Sequence, residues 1–204
     1  LSFAQVQEFN DTFGVNTRVT TTSPEDLNAA VRVREAKLRF ELIREEFEEL
    51  ADAYDAVDIV EVADALGDIR YVVIGAAQVF GLTHMVHDFY KGNTESYEGN
   101  LLSREVQKEL LGYLRAAIIR NDTEGTAVVL STMLQCVDQA AAYLGIDLEA
   151  IVTAIHASNM SKLTDDGKVI RRETDNKVLK CEKNYKAPTA DIERLLGFED
   201  VVAE

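Results

Sequence analysis

The chain has 204 residues, 47% hydrophobic and 28% charged, which is long and apolar enough for one domain with a substantial core and excludes a disordered segment. A net charge of −15 excludes a surface built to neutralise a nucleic-acid backbone; it suits a chain that gathers metal cations or one that mimics nucleic acid. Cys136 and Cys181 show neither metal-ligand spacing nor a disulfide framework, no apolar run reaches the length of a membrane span, and no signal-peptide pattern opens the chain, so a soluble, cytoplasmic protein with no membrane partner is expected.

With two prolines and eleven glycines, long helices are expected. Ser2 is placed to cap a short helix carrying Phe3, Val6, Phe9 and Phe13, closed by Gly14. The polar connection VNTRVTTT follows. SPEDL then starts a helix, with Ser23 as N-cap, Pro24 at the first position and Glu25 and Asp26 in the first turn, running to about Tyr54. The turn DAVD leads into a second long helix from Asp58 to Phe80, ended by Gly81. Residues 91–102, KGNTESYEGNLL, read as a loop. Ser103 opens a helix to about Arg120, Asp122 opens another to Leu144 with Gly145 closing it, and Asp147 caps a further one to about Met160. DGKVIRRETDNKVLK reads as a small β-hairpin around TDNK, and ADIERLLGF as one or two helical turns.

The expected fold is therefore all-α: a bundle of long antiparallel helices with a small C-terminal β-hairpin. Residues 1–160 are expected to form one helical domain, and residues 161–204 a hairpin and tail that pack against it. A shift of 64 residues superposes Asp58 on Asp122 and Gly81 on Gly145, so residues 103–145 can be read as a degenerate copy of the preceding helical hairpin. Under that shift Glu46, Glu49, Asp64 and Asp68 fall on Leu110, Tyr113, Val128 and Thr132, a copy without the acids.

The carboxylates are oddly placed. On a helical wheel Leu42, Ile43, Phe47, Leu50, Ala53 and Tyr54 form one apolar face, and Glu46 lies inside it, with Glu45 and Glu49 at its edge. From Ile69 to Phe80 the second helix is apolar nearly all round, as in a central bundle helix or a dimer interface. Its preceding turns carry Glu61, Asp64 and Asp68 at spacings of three and four, on one face. Converging carboxylates repel unless a cation sits among them, and oxygen ligands without His or Cys suit Mg²⁺ or Mn²⁺, two or more ions per site. A di-iron bundle would need Glu-x-x-His motifs, and His84, His87 and His156 supply none.

EEFEE followed by DALGDIRYVVIGAAQVFGL resembles the MazG-like all-α nucleoside triphosphate pyrophosphohydrolases, in particular the phosphoribosyl-ATP pyrophosphohydrolase-like branch common in phages. Glu45, Glu46 and Glu49 match the family's Glu-Glu-x-x-Glu signature. For the second signature, Glu-x-x-Asp, aligning on Asp68 puts Ala65 where the glutamate belongs. Either Asp64 reaches the same metal, or Glu61 and Asp64 supply the motif one turn away. The likeness extends to VQEFNDTFG near the start and to SNMSKL and the following basic stretch near the end.

The resemblance implies hydrolysis between the α- and β-phosphates of a nucleoside triphosphate, giving a monophosphate and pyrophosphate. Metal ions held by Glu45, Glu46, Glu49 and Asp68 would orient a water, and a surplus carboxylate such as Glu45 would accept its proton. From Ser158 to Pro188 eight basic residues face five acids. Lys162, with Asn159, Lys180, Asn184 and Tyr185, is the expected clamp for the β- and γ-phosphates. The expected assembly is a homodimer or homotetramer that covers the apolar second helix, acting in nucleotide-pool control in a cytoplasm (a host's, if phage-encoded). A purine deoxynucleotide such as dGTP is one substrate to consider. Rivals are a dUTPase-like or phosphoribosyl-ATP-type pyrophosphohydrolase on the same fold and a non-enzymatic acidic mimic of nucleic acid.

Overall fold

Aspartates start three of the helices. In a computed structural model describing residues 2–15, 29–92 and 100–198, the side chain of Asp58 accepts from the amides of Val60 and Glu61, that of Asp122 from Gly125, and that of Asp147 from Ala150. Each satisfies amides that the first helical turn leaves without partners. The described helices are α1 (Phe3–Thr12), α2 (Ala29–Asp55), α3 (Ile59–Val79), α4 (Thr83–Gly92), α5 (Arg104–Ile119), α6 (Thr123–Leu144), α7 (Leu148–Met160) and α8 (Thr189–Leu195).

Most boundaries fall where capping chemistry puts them. The expected start at Ser23 to Asp26 lies outside the described residues, as does most of the expected loop at 91–102 and the end of the tail. α4 was not anticipated, and it includes Lys91 and Gly92 of that loop. Ser2 does not cap α1 through its side chain; its hydroxyl donates to Glu149 of α7 at 3.0 Å instead.

α3 is the axis of the fold. Ile69, Val73, Ile74, Ala76, Ala77 and Val79 are fully buried, and α3 touches α1, α2, α4, α6, α7 and α8. One chain therefore covers the helix whose all-round apolar surface motivated an oligomer. Its partner α2 buries Ile43, Phe47, Leu50 and Ala53 as the wheel predicts, whereas Tyr54 is exposed. Gly67 lets α7 come close: a Cβ there would stand 2.4 Å from Ile155 Cδ1 and 2.8 Å from Ile151 Cγ2. α6 overturns one expectation, since by length and composition alone it is apolar enough to cross a membrane; half of its apolar window is buried inside the protein.

The two helical hairpins share the backbone hydrogen bonds of their turns. Asp58 N–H donates to Ala53 O and Asp122 N–H to Ala117 O, and the preceding residues Val57 and Asn121 both take positive φ, 58° and 52°. At the far ends Gly81 and Gly145 take φ of 69° and 72°, and the amides of Leu82 and Ile146 return to Ala77 and Ala141. Each pair is 64 residues apart.

The expected β-hairpin does not form as strands. Among the described residues it is a single antiparallel bridge, Arg171 to Val178, around a turn with Asn176 at φ 68°. An isolated ribbon with little to bury is marginal in water. Here the polar groups go elsewhere: Arg172 pairs with Asp175, and Arg171 donates to the carbonyls of Asn176 and of Phe13 in the helical body.

Candidate active site

A cleft of about 480 Å³ opens between α2 and α3 and is closed by α1, the end of α7 and the C-terminal segment. Glu45, Glu46 and Glu49 enter it from α2, and Glu61, Asp64 and Asp68 from α3. The spacing that put Glu46 inside the apolar face is thus resolved: Leu42 and Glu46 line the cleft while Ile43, Phe47 and Leu50 face the core. From the other side come Asn159, Lys162, Lys180 and Tyr185. Asn184 does not line the cleft. Its amide donates to Leu163 O at 2.9 Å and ties the C-terminal segment to the end of α7.

The carboxylates strain one another. Burial, then Asp68 and Glu49, pushes the Glu46 carboxyl up to about 9. Burial, then Asp64, raises Asp68 to about 7, and burial, then Glu61, raises Asp64 to about 6. Asp64 Oδ1 is buried with no hydrogen-bond partner among the described residues. Burial lowers the Lys162 ammonium against the pull of Asp68; its Nζ donates to Asn159 Oδ1 at 2.5 Å. Lys180 Nζ stands 4.3 Å over the ring of Tyr185.

The donor set fits hard divalent cations: oxygen ligands on two rigid helices, an orphaned buried carboxylate oxygen, and repulsion that positive charge would relieve. The fit is one of convergence on a single cleft, because among the described residues no three of these side chains form a ready-made ligand shell.

Among the lining residues that sequence reasoning did not assign to the site are Asn10, Arg39, Arg171 and Lys177. Lys177 pairs with Glu45, so this carboxylate is less free to act as a base than its place in the signature implies. The eight-residue basic run contained Lys177 and Arg171, but nothing in the run distinguished them from solvated neighbours. Asn10 and Arg39 lie in helices whose packing alone turns them toward the cleft.

Comparison with known proteins adds three findings. A family model described as phosphoribosyl-ATP pyrophosphohydrolase matches residues 6–89, which includes all six cleft acids. An uncharacterized protein, L479, of Acanthamoeba polyphaga mimivirus is 31% identical over 232 residues, covering 100% of this chain and 81% of the relative. No solved structure matches.

Proposed function

The chain belongs to the phosphoribosyl-ATP pyrophosphohydrolase family of the MazG-like all-α group, and from that premise we propose that it is a metal-dependent (deoxy)nucleoside triphosphate pyrophosphohydrolase, converting a triphosphate and water to a monophosphate and pyrophosphate. The family supports a pyrophosphohydrolase activity. The observation that carries the finer reading is the meeting of six carboxylates with Lys162 and Lys180 in one cleft. Acids alone would serve a mimic, but a mimic has no use for drawing Glu46 and Asp68 into a half-buried cleft beside cations.

Mg²⁺ or Mn²⁺, two or more ions per site, would supply charge against the phosphate chain and acidify a water for in-line attack on the α-phosphorus. Glu46, Glu49, Asp64 and Asp68 would hold the ions, with Glu61 at the rim. Lys162 and Lys180 would hold the β- and γ-phosphates, and Asn159 fixes the Lys162 ammonium. The pairing with Lys177 leaves Glu45 less free than Glu46 to take the proton of an attacking water, a role Glu46 would fill once bound cations keep it ionised.

The role would be nucleotide-pool control, with a purine deoxynucleotide such as dGTP among the first substrates to try. A phosphoribosyl-ATP substrate is the second reading, favoured by the family's own description. The same reading takes α5–α6 as a degenerate copy of α2–α3, supported by the matching backbone hydrogen bonds of the turns. A homodimer or homotetramer stays the assembly to test, although the apolar surface of α3 that motivated it is covered within one chain. The test is calorimetry with Mg²⁺ and Mn²⁺ beside turnover of each common triphosphate: binding and turnover lost together in Asp68→Asn support the proposal, and neither in the wild type sinks it.

A further inference from the structure

Away from its acids the cleft continues into a lobe walled by Val6, Phe9, Leu38, Leu42, Val72 and Gly75. The α2–α3 turn fixes which end this is. Arg39 lies seven residues before Glu46 on α2 and Gly75 seven residues after Asp68 on α3, so both stand about 10 Å of helix further from the turn than the acids. Apolar walls suit a flat heterocycle, and the phosphates belong at the other end with Lys162 and Lys180.

Two polar groups in this lobe have unspent hydrogen-bonding capacity. The Arg39 guanidinium makes no hydrogen bond among the described residues: Nε is buried without a partner, and the nearest carboxylate, Glu35, is 3.7 Å from a terminal nitrogen. Its side chain is 12% exposed. Asn10, 2% exposed, has its amide orientation fixed by a chain anchored on the backbone. Gln78 Nε2 donates to Phe3 O at 2.9 Å, so Gln78 Oε1 must accept, and it takes Asn10 Nδ2 at 2.6 Å. Asn10 Oδ1 is left as an acceptor with no partner among the described residues.

We propose, resting on the hydrolase reading above, that Arg39 and Asn10 read the base of the nucleotide. Arg39 offers a donor fork, which calls for two adjacent acceptors; Asn10 offers an acceptor, which calls for a base N–H. Guanine meets both demands through N7 and O6 with N1–H and the N2 amine, and cytosine through O2 and N3 with its N4 amine. Adenine sets an amine between its acceptors, and thymine and uracil set an N–H between theirs. The site therefore selects guanine or cytosine nucleotides.

Binding of non-hydrolysable α,β-methylene analogues of dGTP, dCTP, dATP and dTTP, measured by calorimetry with Mg²⁺, tests this. The wild type is expected to bind the dGTP or the dCTP analogue about tenfold more tightly than those of dATP and dTTP, and which of the two wins assigns the base. Arg39→Met and Arg39→Lys should both erase the preference, and Arg39→Lys should do so while melting as the wild type does, since lysine keeps the charge beside Glu35 and loses the fork. Asn10→Leu should weaken the preferred analogue about tenfold. An unselective wild type, a preference for adenine or thymine, or a preference retained in Arg39→Lys overturns the inference. Turnover without base preference would sink this inference and leave the hydrolase reading; selective binding without turnover would do the reverse.

Discussion

Stripping divalent cations from the protein should make its stability fall as pH rises. Glu46, Asp68 and Asp64 have folded values of about 9, 7 and 6, above the ordinary carboxylate range near 4, chiefly because they are buried and secondarily because they face one another. The folded state then holds protons that the unfolded state has released, and each such proton lowers stability with rising pH by at most about 1.4 kcal/mol per pH unit. Between pH 5 and pH 8 the ceiling for Glu46 alone is about 4 kcal/mol. Solvent screening at the open side of the cleft brings the expected fall to about 1–2 kcal/mol. For a chain of this size that is roughly 2–8 °C in Tm. Thermal melts in EDTA at pH 5, 6, 7 and 8 read it directly. Glu46→Gln should flatten most of the slope, and saturating Mg²⁺ should suppress it in the wild type by favouring the ionised form. A wild-type Tm that rises with pH, or a slope unchanged in Glu46→Gln, would refute the reasoning.

Other outcomes follow from the packing and the cleft. Gly67→Ala drives a methyl into Ile155 and Ile151 and should cost about 1–3 kcal/mol, read as a lower denaturation midpoint in urea. Asp122→Ala removes the cap of α6 and should cost about 1 kcal/mol, and Asp58→Ala a similar amount at the matching turn, both visible as Tm shifts with no change in the α-helical circular-dichroism spectrum. Lys162→Met should raise KM for a triphosphate at least tenfold, because a half-buried ammonium beside Asp68 is replaced by an apolar chain that offers the phosphates nothing; an unchanged KM would remove Lys162 from the clamp.

Much of the fold is legible in the sequence because it is written in local chemistry. Asp58, Asp122 and Asp147 cap helices, Gly81 and Gly145 end them with left-handed backbone, and the 64-residue shift reappears in the turn hydrogen bonds. What failed depended on context that no local pattern holds. The apolar surface of α3 suited a central bundle helix or a dimer interface alike, and only the packing of six neighbouring helices of the same chain makes it the first. The β-branched runs around TDNK looked like strands, but with no face to bury they make one bridge and lend their side chains to the body.

The site divides the same way. Glu46 and Asp68 stood out because they broke an apolar pattern within one helix. Lys177 reaches Glu45 from 132 residues away, and Asn10 is oriented by Gln78, 68 residues on. Such long-range pairings leave no periodic trace in the chain.

The central claim is that the acidic cleft breaks the α–β phosphate bond of a nucleotide. Incubating the wild type and Glu46→Gln with a mixture of deoxynucleoside triphosphates and Mn²⁺ in ¹⁸O-water, followed by mass spectrometry of the products, tests it most directly. A monophosphate carrying the label, unlabelled pyrophosphate, and the loss of both in the variant are expected. Labelled inorganic phosphate with a diphosphate, or equal turnover in Glu46→Gln, would contradict it.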